Sequence, residues 1–198
     1  MKGPTVAGDI HNPADRLLLT FLDAQRRSVL AIVDGLSDED LRKPVVPSGW
    51  TPLGLIEHLA GAEYYWFQMI AAGAHFESPQ PEETDKAAQD GITGEQGRVA
   101  PEEAAEEYDP GEAGPFTTTE STESVLGLYR DQCEQANALL ASTPLSTPPR
   151  GRVHPGTETE VFDLRGIVLH LIEETARHAG HLDIARELLD GKTGLGPR

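Results

Sequence analysis

The chain of 198 residues has a single cysteine, Cys133, and aromatic residues make up only 6% of it. One thiol excludes an internal disulfide and cannot by itself build a thiolate metal site. Within "VLGLYRDQCEQANALL" it falls in helical phase with Val125, Tyr129 and Ala136, which reads as core packing rather than reactivity. Basic side chains are also scarce: 16 Lys and Arg stand against 33 Asp and Glu, for a formal charge of −17. Such a balance repels phosphate backbones and anionic lipid surfaces, so nucleic acid is a poor partner. No run approaches the ~20 apolar residues of a membrane span. "MKGPTVAGDI" lacks the apolar core of a secretion signal, and a cytoplasmic location with no membrane partner is the expectation. Alternating strand patterns and internal repeats are absent as well.

What the sequence does contain is helical periodicity. A first helix is expected from about Pro13 to Leu36, with Asn12 as cap and proline at its first position. Its apolar stripe includes Leu18, Phe21, Leu22, Val29, Ile32 and Val33. A short turn follows at "SDEDL", where Ser37 caps acidic first-turn residues. The second long helix starts at Thr51-Pro52 and runs to Gly73, with His58 sharing a face with Leu55, Ala62, Tyr65 and Met69. The third covers about Thr122 to Ala141, capped by Ser121 or Thr122. The fourth covers about Leu164 to Asp190, capped by Asp163 and ended by Gly191. This pattern predicts an all-α four-helix bundle, a single domain over residues 1–198, with one long crossover between the second and third helices.

That crossover has its own composition. Residues 77–123 carry 14 acidic side chains against Lys86 and Arg98 and are rich in Pro, Gly, Ser and Thr. Such a segment has little to bury and reads as a long, loosely packed acidic loop insertion, with "APEEAAEEY" able to add a short helix. Its functional alternative is a lid over a pocket.

"EETARHAGH", residues 173–181, places a carboxylate and two imidazoles where a buried helix should carry leucines. On a wheel of about 100° per residue with His170 at zero, His181 falls near 20°, Glu174 near 40° and His178 near 80°. The apolar Ile167, Leu171, Ala185, Leu188 and Leu189 spread over roughly the same arc, so Glu174 and His178 lie deepest. Burying such groups unpaired costs several kcal/mol. A metal ion satisfies them, because neutral imidazole and carboxylate are good zinc ligands, and nickel, iron and manganese also accept this donor set. Glu174 and His178 are one turn apart, and His58 is the candidate third ligand. One Glu and two His leave a position open for water or substrate. The bland alternative is that the histidines are satisfied core residues and that Glu174 pairs with His178 or Arg177. His181 can be an additional ligand, a hydrogen-bond partner or a proton shuttle; His170 reads as a supporting or packing residue. His11, His75 and His154 lie beside loop sequence and receive no role.

These residues also carry a resemblance. "SGWTPLGLIEHLAGAEYYWF", followed after a long gap by "LRGIVLHLIEETARHAGHLDIARELLDGKTG", resembles the DinB superfamily of four-helix metalloproteins. The similarity is greatest to its actinobacterial branch of mycothiol-dependent transferases and the related maleylpyruvate isomerases. Many members pair His-x-x-x-His in the last helix, whereas the isomerase-like members carry Glu-x-x-x-His. The resemblance therefore implies His58, Glu174 and His178 as a zinc triad. It further implies a metal-dependent transferase that couples a low-molecular-weight thiol such as mycothiol to a small electrophile, or an isomerase that uses the thiol as cofactor. His181 would then act as the catalytic proton acceptor or donor, and Trp50, Tyr65 and Trp66 are candidates for the pocket wall, although aromatics at helical spacing more often pack in the core. Homodimers are common among such relatives. A metal-dependent hydrolase using the same open site, and a non-catalytic metal- or ligand-binding stress or resistance protein, are the competing readings.

Overall fold

In the computed structural model of the protein the described residues are 12–74, 116–152 and 161–194. Each helix begins where a short polar side chain takes over an otherwise unpaired backbone N–H. Asn12 Oδ1 accepts from Asp15 N at 2.9 Å and opens α1, Pro13–Val33. Ser37 does the same for α2, Asp38–Leu41, and Thr51 Oγ1, accepting from Gly54 N at 3.1 Å, for α3, Pro52–Glu63. Ser121 caps α4, Thr122–Ser142, and Asp163 caps α5, Leu164–Asp190. Gly191, at φ 77°, ends α5 in the left-handed conformation that glycine adopts without a Cβ penalty. No strand and no helix long and apolar enough to cross a membrane occurs among the described residues.

The expected second helix is not uniform. From Tyr64 to Ala71 it continues as a π-helix, closed by Ala72 N donating to Phe67 O at 3.0 Å. The wider turn changes which side chains point inward. Trp66, Phe67, Ile70 and Ala71 are buried, while Tyr65 and Met69, which a continuous 3.6-residue period places beside His58, are only partly so. Two further stripe assignments are corrected. Phe21 and Leu188 are 52% and 60% exposed. On α5 the buried arc lies further round the wheel than apolar residues alone suggest, because Thr175 and Arg186 are inside it. Arg186 is held there by the carbonyls of Ile32 and Asp34 at 2.7 and 2.8 Å and by Asp190, so its charge is not left unpaired.

The apolar interior has two layers. One joins Leu22, Phe67, Ile70, Ala136, Leu140, Leu164, Ile167 and Leu171. The other joins Val29, Ile32, Leu53, Leu55, Leu59, Val125, Tyr129, Ala179 and Leu182. Tracing each helix through these layers gives its direction: α1 and α5 run parallel, and α3 with its π-helical extension and α4 run parallel to each other in the opposite sense. The pairings α1 with α5 and α3 with α4 dominate the packing. The chain therefore leaves at Ala74 at one end of the bundle and re-enters at Phe116 at the other. For a 21-residue helix that separation is about 30 Å at 1.5 Å per residue, which accounts for a long connection.

Between the two layers lies a polar one. Arg26 of α1 follows Leu22 and precedes Val29, and it meets Glu63 of α3 through two hydrogen bonds of 2.7 and 2.6 Å. Arg26 is 4% and Glu63 1% exposed, so removing either partner would strand a charge in the core. Asn137 of α4 adds a 2.7 Å acceptor, and the guanidinium sits 5.6 Å from the Phe67 ring centre. Arg26→Met should accordingly lower the unfolding free energy by about 3–5 kcal/mol. In urea denaturation the double variant Arg26→Met/Glu63→Leu should be more stable than the single one; a double variant less stable than Arg26→Met would show that the pair is not what these groups contribute.

Candidate metal centre

The same polar layer continues on the opposite side of α3. His58 projects from the middle of α3, and Glu174 and His178 project from α5 one turn apart. His58 Nε2 and His178 Nε2 each lie 3.0 Å from one oxygen, Glu174 Oε1. All three donor atoms fall within 4.8 Å of one another. Ligands around a tetrahedral ion with bonds of about 2.0–2.1 Å stand roughly 3.3 Å apart; the two nitrogen–oxygen separations of 3.0 Å are close to that spacing. Two nitrogens and one carboxylate oxygen are also the donor types that such ions prefer.

Burial grades the cluster. His178 is buried, whereas the side chains of His58 and Glu174 are each 21% exposed, leaving one side of the cluster open to solvent. Hydrogen bonds from His178 and then His58 hold the Glu174 carboxyl far below the usual carboxylate range, against the desolvation that would raise it. The group is an anion across the physiological range.

His181 is exposed and reaches the cluster only through His178, with Nδ1 to Nδ1 at 3.3 Å. Its imidazole titrates below the ordinary range, first because of desolvation and then because of His178 and Arg177. Trp50 lies alongside, with ring centres 6.1 Å apart. His170, one turn before Glu174 on α5 and partly buried, packs against Trp66 at 4.4 Å. Trp66 is core, Trp50 and Tyr65 are half-buried, and the two tryptophans bracket the histidines. His11, His75 and His154 lie outside the described residues, as does "APEEAAEEY".

One neighbour was not visible in the sequence. Phe116, within the segment read as loosely packed, stacks on His58 at 4.3 Å between ring centres and 24° between planes, and meets His178 edge-on at 5.9 Å. Residues 116–120 are docked rather than loose. Phe116 O accepts from Thr51 N at 2.9 Å, and Arg42 donates to Glu120 O at 2.7 Å and Thr118 O at 3.3 Å. Thr122 and Glu123 already belong to α4. A lone aromatic just ahead of a helix cap was the only available signal, and periodicity cannot score it.

Cys133 is partly buried beside Tyr129, Glu63 and Arg26, and its thiol is pushed up to about 12 by burial and then by the Glu63 carboxylate. A thiol in that state is a poor nucleophile. It should stay unmodified by a thiol-selective alkylating agent at pH 8 in the native protein and react fully in denaturant, as mass spectrometry can follow. Fast native labelling would contradict this placement.

An antiparallel meeting of two helices that brings two imidazoles and a carboxylate together inside an all-α bundle defines a class of potential metal-binding helical proteins. The chain matches the family model Mycothiol-S-transferase over residues 17–191 and belongs to that family, within the DinB superfamily. No curated protein and no solved structure matches it.

Proposed function

We propose that the protein is a metal-dependent transferase that couples a low-molecular-weight thiol of the mycothiol type to a small electrophile in the cytoplasm, as a single-domain enzyme. Membership of the Mycothiol-S-transferase family supports the thiol as substrate. The observation that carries the metal dependence is the convergence of His58 Nε2, Glu174 Oε1 and His178 Nε2. The state of Cys133 supports it too, since the chain's own sulfur is placed for packing and the nucleophilic sulfur must arrive with the substrate.

In this reading His58, Glu174 and His178 hold the ion, most simply zinc. When bound, the cation supplies the positive charge that favours thiolate over thiol at neutral pH. Glu174, ionised throughout, offsets one unit of that charge. His178 presents Nε2 to the site while Nδ1 faces His181, which fixes the ring's orientation. His181, exposed and uncharged at neutral pH, accepts the thiol proton or returns one to the product. Trp50 beside His181 and Phe116 over His58 form apolar walls for the electrophile.

The test combines elemental analysis of the purified protein with conjugation of a chromogenic electrophile. Stoichiometric metal, and turnover that needs both metal and added mycothiol, are expected. His58→Ala and His178→Ala should each lose tightly held metal, while His181→Ala keeps it and turns over roughly 100-fold or more slowly. Turnover without thiol would replace transfer by hydrolysis, and binding without turnover would replace catalysis by sequestration. Loss of metal in His181→Ala together with retention in Glu174→Ala would overturn the ligand set.

A further inference from the structure

Phe116 is joined to the donor cluster by an unusually tight backbone contact. A Cβ added at Gly54, on the first turn of α3, would lie 2.2 Å from Phe116 O, 2.4 Å from Phe116 C and 2.6 Å from Thr117 N. Those are backbone atoms and cannot swing aside as a flexible side chain could. Alanine otherwise favours a helix over glycine by roughly 1 kcal/mol, so a glycine here serves the approach of another strand of chain rather than the helix itself. Thr51, the cap of the same helix, completes the attachment by donating its N–H to Phe116 O at 2.9 Å. The carbonyl so fixed carries a ring lying nearly parallel to His58, 4.3 Å from it, and also within reach of His178.

We propose that Phe116 is a positioning residue for the donor cluster, set in place by Gly54 and Thr51. The first turn of α3 thereby serves two ends: one turn further on it supplies His58, and at its start it docks the ring that covers one face of that imidazole. The stack restricts rotation of His58, whose side chain is 21% exposed, and keeps Nε2 directed at Glu174. It also removes water from one side of the cluster, where an extra solvent ligand would compete with the substrate thiol. This inference rests on the metal reading above for its consequence, and on the geometry alone for the stack.

Cobalt(II) titration of the metal-free protein is the direct test, because the intensity of the visible absorption distinguishes four-coordinate from more highly hydrated ions. Phe116→Ala and Gly54→Ala should each weaken Co(II) binding about tenfold or more and reduce the intensity of the band. Phe116→Trp, which keeps a flat ring, should restore much of both, and Phe116→Leu, which keeps only apolar bulk, should not. In the metal-free protein the His58 ring protons should be shifted upfield in NMR spectra by the Phe116 ring, and Gly54→Ala should abolish that shift while the helical circular dichroism is retained. Wild-type affinity and band intensity in both Phe116→Ala and Gly54→Ala would overturn the inference while leaving the metal reading intact. Failure of the wild-type protein to bind Co(II) would instead overturn the metal reading and the positioning role with it; the NMR shift would then show the stack to be packing alone.

Discussion

Two carboxylates, Glu63 and Glu174, cross the middle of the bundle between its two apolar layers, and the arrangement of the helices around them follows from how each is held. Glu63, almost wholly buried, is met by the fork of Arg26, a group that stays charged and donates in two directions at once. That pair is enclosed: each Glu63 oxygen accepts a guanidinium N–H, and both side chains are almost wholly buried. Glu174, one-fifth exposed, is met by two imidazoles instead. Imidazole, unlike guanidinium, has a nitrogen lone pair to offer, so this cluster has donor atoms that a cation could use. The bundle thus carries a buried ion pair at Glu63 and a partly exposed histidine–carboxylate cluster at Glu174.

The position of the Glu174 cluster depends on topology. Because α3 and α4 run the same way, the chain must return the length of the bundle before α4 can begin. It arrives beside the first turn of α3, the turn that leads to His58. Phe116 is therefore placed at the donor cluster by the same crossover that allows the parallel pairing. Gly54 and Thr51 make the arrival close enough to matter, and Arg42 fixes the next few residues through their carbonyls. A segment whose composition suggests only solvation ends in the residue most intimately stacked on a candidate ligand.

Membership of the Mycothiol-S-transferase family and the chemistry of the cluster are consistent with one another. The only cysteine is held as an unreactive thiol, which agrees with a family named for transfer from an external thiol. The cluster offers one carboxylate, held as an anion, and two imidazole nitrogens, a donor set suited to a divalent cation. The neighbouring histidines stand outside the triad: His181 contacts it through His178, and His170 packs against Trp66.

The helix starts and the end of α5 were legible in the sequence because they are set locally, whereas α1 stops at Val33, short of the expected Leu36. Asn12, Ser37, Thr51, Ser121 and Asp163 each satisfy backbone groups within three residues, and Gly191 ends α5 at the expected position. The candidate site was legible for a related reason: polar residues on an inward arc must find partners, and a spacing of four fixes Glu174 and His178 relative to one another whatever surrounds them. The π-helical turn, the exposure of Phe21 and Leu188, and the burial of Thr175 and Arg186 were not, because each depends on what the opposing helix offers. The sequence alone determined where the helices start, their caps and the one-turn spacing of Glu174 and His178 on α5, all of which rest on interactions within one or two turns. Only the tertiary structure decided that α3 and α4 run parallel, that His58 meets Glu174 across 116 positions of chain, and that Phe116 covers it, since those contacts are chosen by packing between surfaces that no local pattern encodes.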